Sequence, residues 1–312
     1  VKVDLRSPYP WFGGKSKVAI IVWDAFGDTR NYVEPFFGSG AMLLGRPHWP
    51  FRETRTETVN DMDGFVTNFW RALQRDPDAV ALHADKPVDE CELTAQHTWL
   101  VKCGRPDVER LKTDRDYCNP EIAGVWVWGL CNWIGGGWCD PIRDGGRIVR
   151  KRPHLVGVGK GVQRGTSRDG LSEYLRGLAD RMRHVRVCCG DWSRVCGPCV
   201  TTTHGVTGVM LDPPYSAEAG RDEKIYTEES LTVAHDVRAW CEEVGDDPLL
   251  RIALCGYEGD GHESLERLGW RVVSWKAKGG YANLGDNRGK DNAKRERIWF
   301  SPHCLLERGL FD

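Results

Sequence analysis

Asn31-Tyr32-Val33-Glu34-Pro35-Phe36-Phe37-Gly38-Ser39-Gly40 reads as a short strand running into a glycine turn. The apolar run over 31–36 is too short for a helix, and two glycines close together supply backbone conformations that few other residues adopt. A helix is expected to start at Ala41. Working outward, residues 16–26 read as a helix, 57–60 as a second strand and 64–74 as an amphipathic helix. Strands that alternate with helices favour a parallel sheet covered on its faces.

The alternation breaks over 86–170. Helical pieces are expected near 91–103 and 121–133, followed by Gly- and Arg-rich sequence with little periodicity. Four tryptophans fall between Trp126 and Trp138. Alternation then resumes with a helix over 171–182 and strands over 185–189 and 208–211. A helix over 231–243, a strand over 249–256 and a short helix over 264–268 follow. Residues 270–276 and 295–301 read as an antiparallel pair at the sheet edge. The expected architecture is one α/β domain, 1–85 with 171–312, split by an insertion at 86–170.

Composition sets the class. The chain has 312 residues, 40% hydrophobic and 28% charged, which is globular. The formal net charge of −2 does not announce a polyanion partner, so any nucleic-acid surface has to be local. Neither a basic-then-apolar leader nor an apolar run of spanning length is visible, and a soluble, cytoplasmic protein is expected. Twelve cysteines in a chain of this kind read as free thiols.

Asp212-Pro213-Pro214-Tyr215 carries the sharpest chemistry. It follows the apolar Val209-Met210-Leu211, at the carboxyl edge of the sheet, where open α/β folds bind ligands. Two prolines fix two φ angles and remove two donors, so nearby carbonyls are stiffly aimed. A carboxylate and such a carbonyl can accept both hydrogens of an amino group while Tyr215 stacks on its ring. A rigid turn is the plain alternative.

Asp61 stands 21 residues after Gly40, close to the spacing of about 20 at which an acid takes up ribose hydroxyls in nucleotide-binding sheets. Leu43 occupies the third glycine position of a dinucleotide fingerprint, which favours a nucleoside cofactor over a pyrophosphate. Gly14-Lys15-Ser16 lacks the first glycine of a phosphate loop, since Tyr9 stands there. Lys15 beside a glycine pair can instead bind the carboxylate of an amino-acid-like cofactor. Asp191-Trp192 is a candidate adenine contact, with a capped turn as the alternative.

Together these residues resemble the Dam-type, D12-class DNA adenine-N6 methyltransferases. Trp11 to Lys15 matches the aromatic-x-Gly-Gly-Lys opening of that family, and Glu34 to Gly40 its Glu-Pro-Phe-x-Gly-x-Gly. Asp61 matches its acid after the second strand, and Asp212 to Tyr215 its catalytic loop. The resemblance implies a Rossmann-like methyltransferase sheet, mostly parallel with an antiparallel edge hairpin, and S-adenosylmethionine as cofactor. It implies a target-recognition insertion over 86–170. It implies cofactor contacts at Trp11, Lys15, Asp61 and Asp212, and catalysis by Asp212, Pro213, Pro214 and Tyr215; Gly14, Glu34, Phe37, Gly38 and Gly40, in the two matched segments, are further candidate cofactor contacts. The substrate is then adenine in double-stranded DNA, flipped from the stack. The resemblance also allows a companion restriction endonuclease.

Two basic stretches are candidate phosphate trackers. Residues 141–170 hold eight Lys or Arg against two acids, among them Arg147, Arg150, Lys151 and Arg152. Residues 271–297 hold eight against three, among them Lys276, Lys278, Arg288 and Lys290. Solvated basic faces are the alternative. Cys196-Gly197-Pro198-Cys199 is out of order for a thioredoxin-like unit, and Cys188, Cys189 and His204 complete a zinc site only awkwardly, so no metal is expected. The rival activities are cytosine-N4 methylation of DNA and adenine methylation of RNA. A catalytically inactive DNA-binding relative is the rival of another class. Aspartate at the head of the tetrapeptide favours adenine.

Overall fold

The computed structural model of the chain describes residues 5–11, 14–140, 151–154, 161–164, 167–214, 232–275 and 295–306. Tyr215, Arg147, Arg150, Lys276, Lys278, Arg288 and Lys290 lie outside the described residues.

The helices among the described residues are α1 (Ala19–Phe26), α2 (Ala41–Leu44), α3 (Gly64–Arg75), α4 (Pro77–Ala84), α5 (Glu90–Trp99), α6 (Arg105–Val108), α7 (Pro120–Asn132), α8 (Arg168–Met182) and α9 (Val233–Val244). The strands are β1 (Asn31–Glu34), β2 (Thr56–Asp61), β3 (Arg186–Cys189), β4 (Thr207–Leu211), β5 (Leu250–Tyr257), β6 (Arg271–Ser274) and β7 (Glu296–Phe300). They form one seven-stranded sheet in the order β3-β2-β1-β4-β5-β7-β6. β1 runs parallel to β2 and β4, and β4 parallel to β5. β7 is antiparallel to both β5 and β6, so the expected edge pair forms. The strand order reverses between β1 and β4, the kind of switch point at which open α/β sheets bind ligands. No helix among the described residues is long and apolar enough to cross a membrane.

The chain divides into two compact units. One comprises Val1–Phe12, Gly38–Leu44 and Asp61–Cys189; the other comprises Gly13–Phe37, Gly45–Asn60 and Gly190–Asp312. Along the sequence, the division falls inside the glycine turn and at the end of β2.

In the first unit, α3 buries Phe65, Phe69, Ala72 and Val66, Trp70, Leu73, the spacing of a helix with one apolar face. Asp63 caps it by accepting the Phe65 N–H at 2.8 Å. Truncating a ring such as Phe69, fully buried, is expected to cost about 3–5 kcal/mol. α7 starts at Asn119, whose side chain accepts the Ile122 N–H at 3.0 Å. Its apolar residues are buried on every side, and its glycines let neighbours approach. A Cβ on Gly124 would stand 2.5 Å from the His83 Cβ of α4, and one on Gly129 would stand 1.9 Å from the Trp138 ring. α4 has no counterpart among the helices expected from the sequence. Pro77 reads as a stop, yet Asp76 caps the helix through the Ala79 N–H at 2.9 Å, and Pro77 takes the first position, where no donor is needed.

In the second unit all four residues of β1 are buried, as in a strand covered on both faces. Its polar members are paired. The Asn31 amide donates to the Val200 carbonyl at 2.8 Å and to Thr207 Oγ1 at 3.0 Å. The Tyr32 hydroxyl donates to Glu34 Oε2 at 2.9 Å. Arg46 and Glu57 form a buried pair at 2.9 Å, with the guanidinium over the Trp23 ring.

Candidate active site

In the second unit β4, buried along its length, delivers Asp212 at its carboxyl end. Register with β1 on one side and β5 on the other fixes that end in the middle of the sheet. Pro213 is buried and Pro214 half-buried, and neither has an N–H to donate. Lys15 reaches the same carboxylate, with Nζ 2.9 Å from Asp212 Oδ1. The lysine is held at the first turn of α1, where its carbonyl accepts the Val18 and Ala19 N–H groups. Its side chain is 4% exposed, that of Asp212 23%. Gly14 beside it is exposed.

Burial by itself would favour the neutral amine of Lys15. The Asp212 carboxylate, with Cys255 and Glu296 nearby, outweighs that and raises its pKa above the ordinary lysine value. Lys15 is therefore an ammonium, and the Trp275 ring lies 5.8 Å from its charge. The structure sets this lysine on the aspartate that heads Pro213-Pro214.

Glu34 ends β1 buried and paired to Tyr32, and Phe37 is buried two residues beyond Pro35. Asn60, fully buried at the end of β2, ties two loops together. Its amide donates to the Pro35 carbonyl at 3.0 Å and to the Gly190 carbonyl at 2.9 Å, and its own carbonyl accepts the Phe37 N–H. Asp191 follows Gly190 and caps a 3-10 turn, with Oδ1 accepting the Ser193 N–H at 3.0 Å. Trp192, in that turn, is buried and stacks on Phe36 with centroids 6.3 Å apart. Asn60 escapes the sequence reading, although an amide inside an apolar strand is a visible signal.

In the first unit Gly38 and Gly40 have φ of +47° and +69°, the region glycine favours. The Trp11 indole lies against Gly38 so closely that a Cβ there would stand 2.3 Å from Nε1. Asp61 Oδ2 accepts the Gly38 N–H at 2.8 Å, and Oδ1 accepts the Asp63 N–H at 2.9 Å. Burial, aided by Asp63, still pushes the Asp61 carboxyl up to about 7, against the pull of those N–H donors. Two further residues hold the same turn. The Tyr9 hydroxyl and the Trp70 indole N–H both donate to the Gly38 carbonyl, at 2.7 and 3.0 Å. Sequence reading misses both, because the contact joins positions 29 and 32 residues apart.

Of the basic candidates, Lys151 and Arg152 are described. Lys151 donates to the Ile134 and Gly136 carbonyls at 3.0 and 2.6 Å and sits 4.9 Å over the Trp133 ring. Arg152 is exposed. All twelve cysteines are free thiols. Cys199 is exposed, whereas Cys196 is buried, with its thiol pushed up to about 12 by that burial. Among the described residues no group of three or more His, Cys, Asp or Glu is arranged to hold a metal.

A family model for the D12 class N6 adenine-specific DNA methyltransferases matches residues 11–98. That span includes Trp11, Lys15, the glycine turn and Asp61, and ends well before Asp212. No curated protein matches the chain. The chain thus combines a mostly parallel seven-stranded sheet with a similarity, over the segment that carries the glycine turn, to the D12 class of N6 adenine-specific DNA methyltransferases.

Proposed function

We propose that the chain methylates N6 of adenine at a specific site in double-stranded DNA, with S-adenosylmethionine as donor and the target base flipped out of the duplex. The observation that carries this reading is the pairing of buried Lys15 with half-buried Asp212 at the head of Pro213-Pro214.

The residues suit the cofactor. Asp61 is an under-solvated carboxylate with a pKa near 7, so two hydroxyl donors from a ribose would relieve it. Gly38 and Gly40 put no side chain at two positions of the turn, and Trp11 offers a ring beside Gly38. When bound, S-adenosylmethionine supplies an electrophilic methyl group on a cationic sulfur.

The adenine amine is a poor nucleophile because its lone pair is delocalised into the ring. Asp212 and the Pro213 carbonyl accept its two hydrogens and draw the nitrogen toward a tetrahedral shape. Lys15 sets an ammonium against Asp212 and fixes how the carboxylate is turned. A carboxylate oxygen accepts more than one hydrogen bond, so the ion pair and the amine can share it. Orientation and fixed charges in a partly buried site then supply most of the rate. Tyr215 stacks on the flipped base, a contact worth about 1–3 kcal/mol. Residues 86–170 serve target recognition, while 1–85 and 171–312 serve catalysis.

The test is methyl transfer from labelled S-adenosylmethionine by the purified protein. Label is expected on duplex DNA and absent with Asp212→Ala. Label on RNA alone would reject the reading.

A further inference from the structure

We propose that Tyr9 and Trp70 are positioning residues of the cofactor turn, acting through the Gly38 carbonyl that both of them hold. The inference rests on the reading of that turn as the S-adenosylmethionine contact.

A peptide plane has two ends. When the carbonyl of one residue is fixed, the N–H of the next points the opposite way, because the bond is planar and trans. The Gly38 carbonyl is fixed by two donors at once, the Tyr9 hydroxyl at 2.7 Å and the Trp70 indole N–H at 3.0 Å. The Gly38–Ser39 peptide is thereby set, and the Ser39 N–H with it. The preceding plane is set as well, since the Gly38 N–H is bound to Asp61 Oδ2 at 2.8 Å. A left-handed glycine is a pliant joint, and here both of its peptide planes are tied.

The two donors are themselves immobile. Tyr9 is 2% exposed and packs edge-on against Phe69 and Trp126, with centroids 5.3 and 5.0 Å away. Trp70 is fully buried on α3. Burial, with the nearby Asp61 charge, raises the Tyr9 pKa well above the ordinary value, so the hydroxyl keeps the proton it donates. Two donors converging on one carbonyl of the ligand turn hold that turn in its binding shape before any ligand arrives, and preorganisation of that kind appears as affinity.

The experiment uses Tyr9→Phe, Trp70→Phe and the double variant of the full chain. Each single change keeps a ring in place and removes one donor. Calorimetry with S-adenosylhomocysteine, together with KM and kcat on duplex DNA, is read against the parent and Asp61→Ala. Each single variant is expected to weaken cofactor binding and raise its KM roughly five- to tenfold, with kcat within about twofold at saturation. The double variant is expected to lose more than the product of the two. If it does not fold, Tyr9→Phe alone decides. A lower melting temperature with the dissociation constant and KM of the parent would show a purely structural role and overturn the proposal, while Asp61→Ala still loses affinity. A parent that binds no cofactor would overturn the reading of the turn and this proposal with it.

Discussion

Lys15 Nζ lies 2.9 Å from Asp212 Oδ1, across 197 positions of sequence, a buried ammonium on a partly exposed carboxylate at the carboxyl end of β4. Lys15→Met would leave a partly buried carboxylate without its partner, a change that typically costs about 3–5 kcal/mol in a buried pair. Lys15→Gln is the gentler probe, because it keeps a donor and removes the charge. It is expected to lower kcat by a factor on the order of 10²–10³, the loss seen when a preorganised electrostatic group is removed. A folded Lys15→Gln with the kcat of the parent would show that the ammonium on Asp212 contributes nothing to the rate.

Asp61 gives a second pH signature. Its pKa in the folded chain is about 7, above that of an unfolded aspartate. A raised acid contributes stability that is complete below the unfolded pKa and is lost as pH rises through the folded one. Asp61→Asn is therefore expected to stabilise the cofactor-free protein, by about 2 kcal/mol at pH 8. The gain should grow between about pH 4 and 7 and level off above that. The amide oxygen can still accept the Gly38 N–H, whereas the amide nitrogen then faces the Asp63 N–H, a lost hydrogen bond that the expected gain already discounts. Cofactor affinity should move oppositely: in the parent it is expected to fall about tenfold per unit below pH 7, because protonated Asp61 accepts one hydroxyl fewer. Thermal melts and calorimetry across pH 5–8 check both. A variant destabilised at pH 8 would contradict the burial argument.

The fold was readable where its signals are local. The strand ending at Leu211 announces its position by ending in Asp212-Pro213-Pro214, and the glycine turn after β1 does the same. α4 was not readable, because its cap Asp76 and the proline after it also spell a stop. The candidate site stands out in the sequence by residue type but not by partner. The aspartate, the lysine and the glycines stand out along the chain, whereas the Lys15–Asp212 pair, Asn60 bridging Pro35 and Gly190, and the hydroxyl of Tyr9 on Gly38 are products of folding. No periodicity encodes contacts between positions so far apart.

The segment after α7 separates two lysine-like roles. Lys151 has its ammonium on two carbonyls and a ring, while Arg152 is exposed. Arg152→Gln is expected to reduce the slope of log affinity against log salt for duplex DNA by about 0.9. Lys151→Met is expected to lower the melting temperature and leave the slope unchanged. A reduced slope in Lys151→Met, with stability intact, would reverse the assignment.

Close packing of α7 is a further checkable feature. Gly129→Ala places a methyl group where the Trp138 ring stands, 1.9 Å away. Overpacking of that kind costs about 1–3 kcal/mol. The denaturant midpoint is expected to fall by the corresponding amount, and to recover partly in the double variant with Trp138→Leu. An unchanged midpoint would mean that the ring moves aside freely.

The central claim is that Asp212, paired to Lys15, methylates N6 of adenine in duplex DNA. Mass spectrometry of nucleosides digested from DNA treated with the purified protein and S-adenosylmethionine tests it most directly. N6-methyldeoxyadenosine is expected with the parent and reduced by several powers of ten with Asp212→Asn, whose amide presents a donor to a donor. N4-methyldeoxycytidine as the sole product, or parental yield from Asp212→Asn, would contradict the account.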